Sequence, residues 1–170
     1  MNNTVGFPDK RWGSPDGWLS KITYRIVSTR PGSWVARRTA PLDRRILLRS
    51  NGRFSLLGPI GAPTMLLTTT GAKSGAARIS PLLYARDGER LIVAGSNFGQ
   101  EKHPAWTGNL LKDANAVVAI GGRSVPAVAA LLDGPEAEKA YGLMKAVAPM
   151  YGNYQAKTDR DIRVFALTAV

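Results

Sequence analysis

Three groups of residues in this sequence have the types and spacing to handle a flat, anionic ligand. The first is Gly71-Ala-Lys-Ser-Gly75 followed by Arg78. Its glycines expose backbone amides, while Lys73, Ser74 and Arg78 add donors suited to a phosphate or a carboxylate. The second runs from Ser96 to Asn109 and sets Trp106 three positions before Asn109, an aromatic and an amide on one side of a helix. The third is Tyr151 and Tyr154 around Gly152, phenols able to donate a hydrogen bond or a proton. Each group also has a plainer reading, respectively a solvated hairpin loop, a core anchor at a helix start and a pair of core tyrosines.

Several chemistries are excluded. A nucleotide-hydrolysing P-loop needs a glycine four residues before Gly-Lys-Ser/Thr and a helix after it, whereas here Ala72 precedes Lys73 and a β-rich run follows. There are no cysteines, which removes disulfides, thiolate metal sites and cysteine nucleophiles. His103 is the only histidine, so no multi-histidine metal site can form. We read it as a surface residue near a helix start rather than as a general base.

The elements that must position these groups are legible from periodicity. Thr64–Thr70, Arg78–Tyr84 and Arg90–Ser96 read as three β runs joined by glycine turns, an antiparallel meander. Pro104 opens a helix through about Lys112. Ala116–Ile120 and Ser124–Leu132 flank Gly121-Gly122 as a hairpin. A helix from Pro135 buries Ala140, Leu143, Met144 and Val147. An irregular aromatic loop covers 148–155, and Asp161–Val170 makes a last strand. About six antiparallel strands with flanking helices predict an α+β, mainly β fold, a small closed barrel.

Residues 1–60 are organised differently from 61–170. The whole chain carries a formal charge of +11 over 170 residues. The first 60 residues hold 11 Lys+Arg against 3 Asp, or +8, and residues 61–170 hold 12 against 9, or +3. Trp12, Trp18 and Trp34 lie in the same basic third. Residues 1–13 read as a loose arm. Ser14-Pro15-Asp16 starts a helix bearing Trp18, Leu19, Ile22 and Ile26, with Pro31-Gly32 at its end. A second helical piece spans about Pro41 to Ser50, with Leu42, Ile46 and Leu47 opposite Arg44, Arg45 and Arg49, and Asn51-Gly52 ends it. This third either covers one end of the barrel or rests on anionic lipid. Nucleic acid ranks lowest as a partner, because no reader motif is present. No run of 18 apolar residues spans a bilayer and no signal-peptide pattern opens the chain, so a cytoplasmic protein is expected, with a peripheral seat on the inner membrane face.

Taken in order, Leu66–Gly75, Arg78, Pro81-Leu82, Asp87-Gly88, Val93-Ala94, Ser96, Pro104-Ala-Trp106, Asn109, Tyr154-Gln155 and Thr158-Asp-Arg160 resemble the deazaflavin-dependent nitroreductase family, the A branch of the flavin/deazaflavin oxidoreductases. The resemblance covers about residues 60–170. It implies a split β-barrel of the FMN-binding type and the cofactor F420, an 8-hydroxy-5-deazaflavin with a phosphate and a polyglutamate tail. It also implies hydride transfer from F420H2 to a quinone such as menaquinone, an activated alkene or enone, or a nitroaromatic.

On this resemblance the tail-binding loop falls on Ala72, Lys73 and Ser74 with Arg78 beside it. The strand end that meets the deazaflavin falls on Ala94, Gly95, Ser96 and Asn97, and the helix that packs against it on Ala105, Trp106 and Asn109. Tyr151 and Tyr154 take the substrate side, Tyr151 also touching the cofactor, and Ser96 matches the active-site serine; we take Tyr154 as the proton donor, supported by Tyr151 and Ser96. The family commonly has Arg where Ala72 stands, Lys occurs where Asn97 stands, and Ala148 replaces a third pocket tyrosine, which implies a wider pocket. A non-catalytic F420 or flavin carrier, or an FMN-dependent split-barrel reductase, are the alternatives.

Overall fold

The computed structural model describes residues 6–8, 38, 42–55 and 62–170. The helix expected from Ser14, and Trp12, Trp18 and Trp34, lie outside the described residues.

The architecture is a curled antiparallel sheet of seven strands, a split β-barrel with flanking helices. Its strands are β1 (Thr64–Thr70), β2 (Ala77–Leu83), β3 (Ala85–Asp87), β4 (Arg90–Ala94), β5 (Asn115–Ile120), β6 (Arg123–Leu132) and β7 (Val164–Ala169). They lie in the order β2-β1-β5-β6-β7-β4-β3. The expected three-run meander is therefore corrected. β1 pairs with β2, but β4 pairs with β3 and β7 rather than with β2.

The cause is Tyr84, a single residue between β2 and β3. Its side chain is buried and its amide donates to the Pro63 carbonyl at 3.1 Å. The run 77–87 bends there, and its two parts serve opposite edges of the sheet. Edges joined by one residue oblige the sheet to curl round on itself. The seventh strand, β3, comes from this bend. The last strand is shorter than expected, beginning at Val164.

Alternation of side chains builds two cores on the two faces. Met65, Leu67, Leu91, Val93, Phe165 and Leu167 point into the barrel, with Trp106 and Leu110 closing it. Ile92, Ala94, Val164 and Ala166 point outward and are covered by Ala140 and Met144 of the helix Gly134–Val147. On another stretch of the outer face, Leu66 and Ala119 meet Leu47 of the helical residues 42–49. Leu42 does not join Leu47 there but is 53% exposed, contrary to the expected apolar side.

The arm is not loose at its one described stretch. Phe7 is buried in the barrel core, and the Phe7 and Pro8 carbonyls accept from Arg86 Nη2 at 3.2 and 2.7 Å. Burying one phenyl ring is worth about 1.5–3 kcal/mol, enough to offset part of the entropy of ordering these residues. The Gly121-Gly122 hairpin forms as expected. Both glycines have positive φ, 59° and 87°, the geometry a two-residue hairpin favours. Asn51 and Gly52 end the 42–49 helix at φ 49° and 75°.

Candidate functional site

Topology sets the place of the site. Each step from β1 through β5, β6 and β7 to β4 is antiparallel, so β1 and β4 run the same way. The loops that follow them, 71–75 and 95–104, leave the barrel at the same end. The helix Ala105–Lys112 bridges the two.

The first loop is a tight cradle held from behind. Its Gly71 amide donates to the Ala76 carbonyl and its Gly75 amide to the Gly71 carbonyl, both at 2.8 Å. A Cβ on Gly71 would stand 2.8 Å from Ser74 Oγ and 3.0 Å from the Ala76 carbonyl, so a larger residue would push Ser74 aside and crowd the turn. Asn109 Oδ1 accepts from the Ala72 amide and Asn109 Nδ2 donates to Thr69 Oγ1, both at 2.9 Å. Lys112 Nζ donates to the Ala72 carbonyl at 2.6 Å. Lys73, Ser74 and Arg78 are exposed, with Arg78 Nη2 donating to Ser74 Oγ at 3.4 Å. Among the described residues neither Lys73 nor Arg78 has an acidic side chain in ion-pair range. A strand, β2, follows the loop, as the exclusion of a P-loop required.

The second loop is organised around Arg160. Its guanidinium donates through Nη2 to the Gly95 carbonyl at 3.1 Å and the Ser96 carbonyl at 2.8 Å, and through Nε to the Gln100 carbonyl at 2.8 Å. Arg160 Nη1 lies 3.0 Å from His103 Nδ1. An arginine has only donors, so Nδ1 must accept and the imidazole proton sits on Nε2. Desolvation, and then the charges of Arg163 and Arg160, push the His103 pKa below its ordinary value. Gly95 is forced: a Cβ there would meet Thr107 Cγ2 at 2.6 Å. Asn97, Phe98 and Gly99 follow with φ of 46°, 57° and 77°, three successive residues in the left-handed region.

Behind this loop stands an aromatic cluster. Tyr151 and Tyr154 are buried, their rings T-shaped at 5.3 Å. Tyr141 meets Tyr151 edge-on at 6.2 Å, and its hydroxyl donates to the Tyr151 carbonyl at 2.7 Å. Burial drives the Tyr151 phenol well above its ordinary range, with Tyr154 and Tyr141 adding to the shift, while a hydrogen bond with Ser96 opposes it. The Tyr141 phenol is raised to about 12 by the same burial and by Tyr154. Tyr151 thus stays protonated at neutral pH, its hydroxyl beside Ser96.

An F420H(2)-dependent quinone reductase family model matches residues 41–169 of this sequence. The chain belongs to this family. An F420H(2)-dependent quinone reductase of Mycobacterium tuberculosis is 33% identical over 122 residues, covering 70% of this chain and 82% of the relative. The solved F420-H2 dependent reductase FDR-A is 38% identical, with a TM-score of 0.58, covering 62% of this chain and 93% of that structure. A solved chain described as a domain-swapped dimer is 34% identical with a TM-score of 0.59, covering 81% of this chain and 98% of its own.

The quinone reductase fold thus gathers Ala72, Lys73 and Ser74 on one loop with Arg78 on the strand after it, and Gly95, Ser96 and Asn97 on the other with Ala94 on the strand before it. Ala105, Trp106 and Asn109 lie on the helix between them. Trp106 is buried against Phe165 at 5.7 Å, which makes it a core anchor here, and Asn109 spends its amide on Thr69 and Ala72. Ala105 is exposed at the helix start. Ala148, where the family has a third pocket tyrosine by the resemblance above, is wholly buried in the cluster that holds Met144 and Tyr151.

Sequence reasoning missed the role of Arg160, quoted as part of a motif but given no task. Its partners lie about sixty residues away, and no local pattern announces such a bond. An open depression of about 610 Å³ lies at the other end of the barrel, beside Gly122, lined by Ile46, Arg49, Asn51, Arg53 and Phe54. No candidate catalytic group reaches it.

Proposed function

We propose that this chain reduces quinones with F420H2, using the two loops at one barrel end to divide the work. The observation that carries the reading is the helix Ala105–Lys112, which holds an exposed cationic cradle through Asn109 and Lys112 and packs its Thr107 against Gly95, the residue before Ser96. The donor set fits F420. Lys73, Ser74 and Arg78 offer charge-assisted hydrogen bonds to an anionic tail. Ala94 at the end of β4 and Gly95, Ser96 and Asn97 after it would hold the ring system, and Ala105 begins the helix that follows.

When bound, F420H2 supplies a hydride, so the protein contributes orientation and electrostatics rather than intrinsic reactivity. A quinone that accepts a hydride needs one proton to leave as the hydroquinone. Tyr154 is assigned the proton donation, with Tyr151 and Ser96 orienting the acceptor oxygen. Activated alkenes and nitroaromatics share an electron-poor centre with quinones and extend the proposed acceptor range.

Membrane contact forms part of the proposal. Arg44, Arg45, Arg49 and Arg53 are exposed, with Leu42 and Phe54 exposed among them at 53% and 49%. Such a mixture suits an anionic interface that also holds a lipophilic quinone. Among the described residues no helix is long and apolar enough to cross a membrane.

Titration with F420 and with FMN, followed by F420H2 oxidation read at 420 nm with menadione, tests the reading. Tight F420 binding with quinone-dependent oxidation is expected. Binding without oxidation makes the chain a carrier, and a preference for FMN makes it a flavin reductase. Flotation of the full chain on anionic but not neutral vesicles is the expected membrane result.

A further inference from the structure

We propose that Phe98 is a specificity-determining residue, its ring forming a wall of the acceptor site that favours flat two-ring acceptors over one-ring ones. The proposal rests on the quinone reductase reading above. Two local costs meet at this residue. Its backbone lies at φ 57°, ψ 23°, a region that asparagine and glycine tolerate and a bulky side chain does not. Its ring is also 59% exposed, although it is one of the larger apolar side chains in the protein. Neither cost serves the fold, since a mostly exposed ring buries little area. Backbone outliers of this kind cluster at ligand sites.

The turn cannot easily relax to tuck the ring away. Gly99, next in the chain, is pressed on the Tyr154–Lys157 segment, where a Cβ would meet Lys157 Cβ at 2.8 Å and the Tyr154 carbonyl at 3.0 Å. Phe98 therefore stays two residues from Ser96, edge-on to Tyr154 with ring centroids 6.1 Å apart. Tyr154 meets Tyr151 at 5.3 Å, and Tyr151 meets Tyr141 at 6.2 Å. Four aromatic rings form a row, buried at Tyr154 and Tyr151 and half-buried at Tyr141, and Phe98 is its exposed end. A planar acceptor approaching Ser96 and Tyr154 passes that ring, and stacking on it grows with the size of the acceptor's own π face.

Steady-state kinetics with F420H2 and two acceptors, menadione and a one-ring benzoquinone, test this. Phe98→Gly should raise the KM for menadione about 3- to 10-fold and that for benzoquinone less, with the KM for F420H2 unchanged. The same change should raise Tm by about 2–4 °C, because glycine relieves the left-handed strain. A residue kept for packing would show the opposite stability change. Phe98→Leu keeps apolar bulk without a π face and should lose the ring-size preference, whereas Phe98→Tyr should keep it. Normal wild-type turnover with an unchanged menadione-to-benzoquinone ratio in Phe98→Gly and Phe98→Leu overturns this inference alone. A rise in the KM for F420H2 that matches the rise for menadione also overturns it. Wild-type failure to oxidise F420H2 with either quinone overturns the functional reading and this inference with it.

Discussion

The two loops at the site end place their charges differently. Loop 71–75 turns its charges to solvent and is held from behind by Asn109 and Lys112, one of them a neutral amide. Loop 95–104 is held by a cation, Arg160, and its hydroxyl partner Tyr151 is buried. Charge that is exposed and without an acidic partner is available to a ligand. Charge spent on backbone carbonyls is architecture. The contrast separates residues that touch a cofactor from residues that position the ones that do, and it predicts which substitutions change binding without touching the fold.

The largest expected effect breaks the catalytic side alone. Tyr154→Phe keeps the ring and its packing and removes only the hydroxyl. Turnover with menadione should fall about 100- to 10,000-fold if that hydroxyl donates the proton. F420 affinity should hold. A loss of thermal stability with normal turnover would return Tyr154 to the core, and Tyr151→Phe serves as the neighbouring comparison.

The mirror experiment is Lys73→Ala combined with Arg78→Ala. F420 affinity should weaken about 10- to 100-fold, below the full value of two charge-assisted bonds because both groups are solvated. Tm should not move. Added salt should weaken the wild-type complex for the same reason. Titration showing unchanged affinity would remove tail binding from this loop.

Breaking the anchors themselves should blur the comparison. Arg160→Ala leaves the Gly95, Ser96 and Gln100 carbonyls without their shared donor and should cost about 2–4 kcal/mol in denaturant unfolding. Asn109→Leu strips the Ala72 amide and Thr69 hydroxyl of a partner, at about 1–3 kcal/mol. It should also weaken F420 binding while leaving Lys73 and Arg78 in place. Retained affinity in Asn109→Leu would show that the cradle needs no support from the helix.

The smallest effect is a pH dependence. The folded pKa of His103 is lowered, mainly by desolvation and then by Arg163 and Arg160. The folded state therefore binds fewer protons than the unfolded one. Its contribution is fully present above the ordinary value of 6.5 and is lost as pH falls through the depressed folded value. Protonation would also put a second cation against Arg160 Nη1. His103→Gln keeps a neutral side chain and should flatten the Tm-against-pH curve between about pH 7 and 5. An identical slope in wild type and variant would place the titrating group elsewhere.

Much of this protein is legible in the order of its residues. The cradle of glycines with Lys73, the helix opened by Pro104, the Gly121-Gly122 hairpin and the membership of the family all follow from local patterns. Those signals are short-range: turn geometry, alternation and a helical period act within a few residues. Sequence could not decide the tasks of Trp106 and Asn109, whose functional and structural readings stood side by side. The choice depends on Phe165, Thr69 and Ala72, brought up by the curl of the sheet. Nor could it show that Tyr84 sends one extended run to two edges, that Arg160 ties residues 95–103 together, or that Ala148 sits in a closed core. The Arg160 bonds span about sixty residues of chain and the Tyr84–Pro63 bond about twenty. Only packing in three dimensions sets such meetings, because each depends on how every intervening element has already been placed.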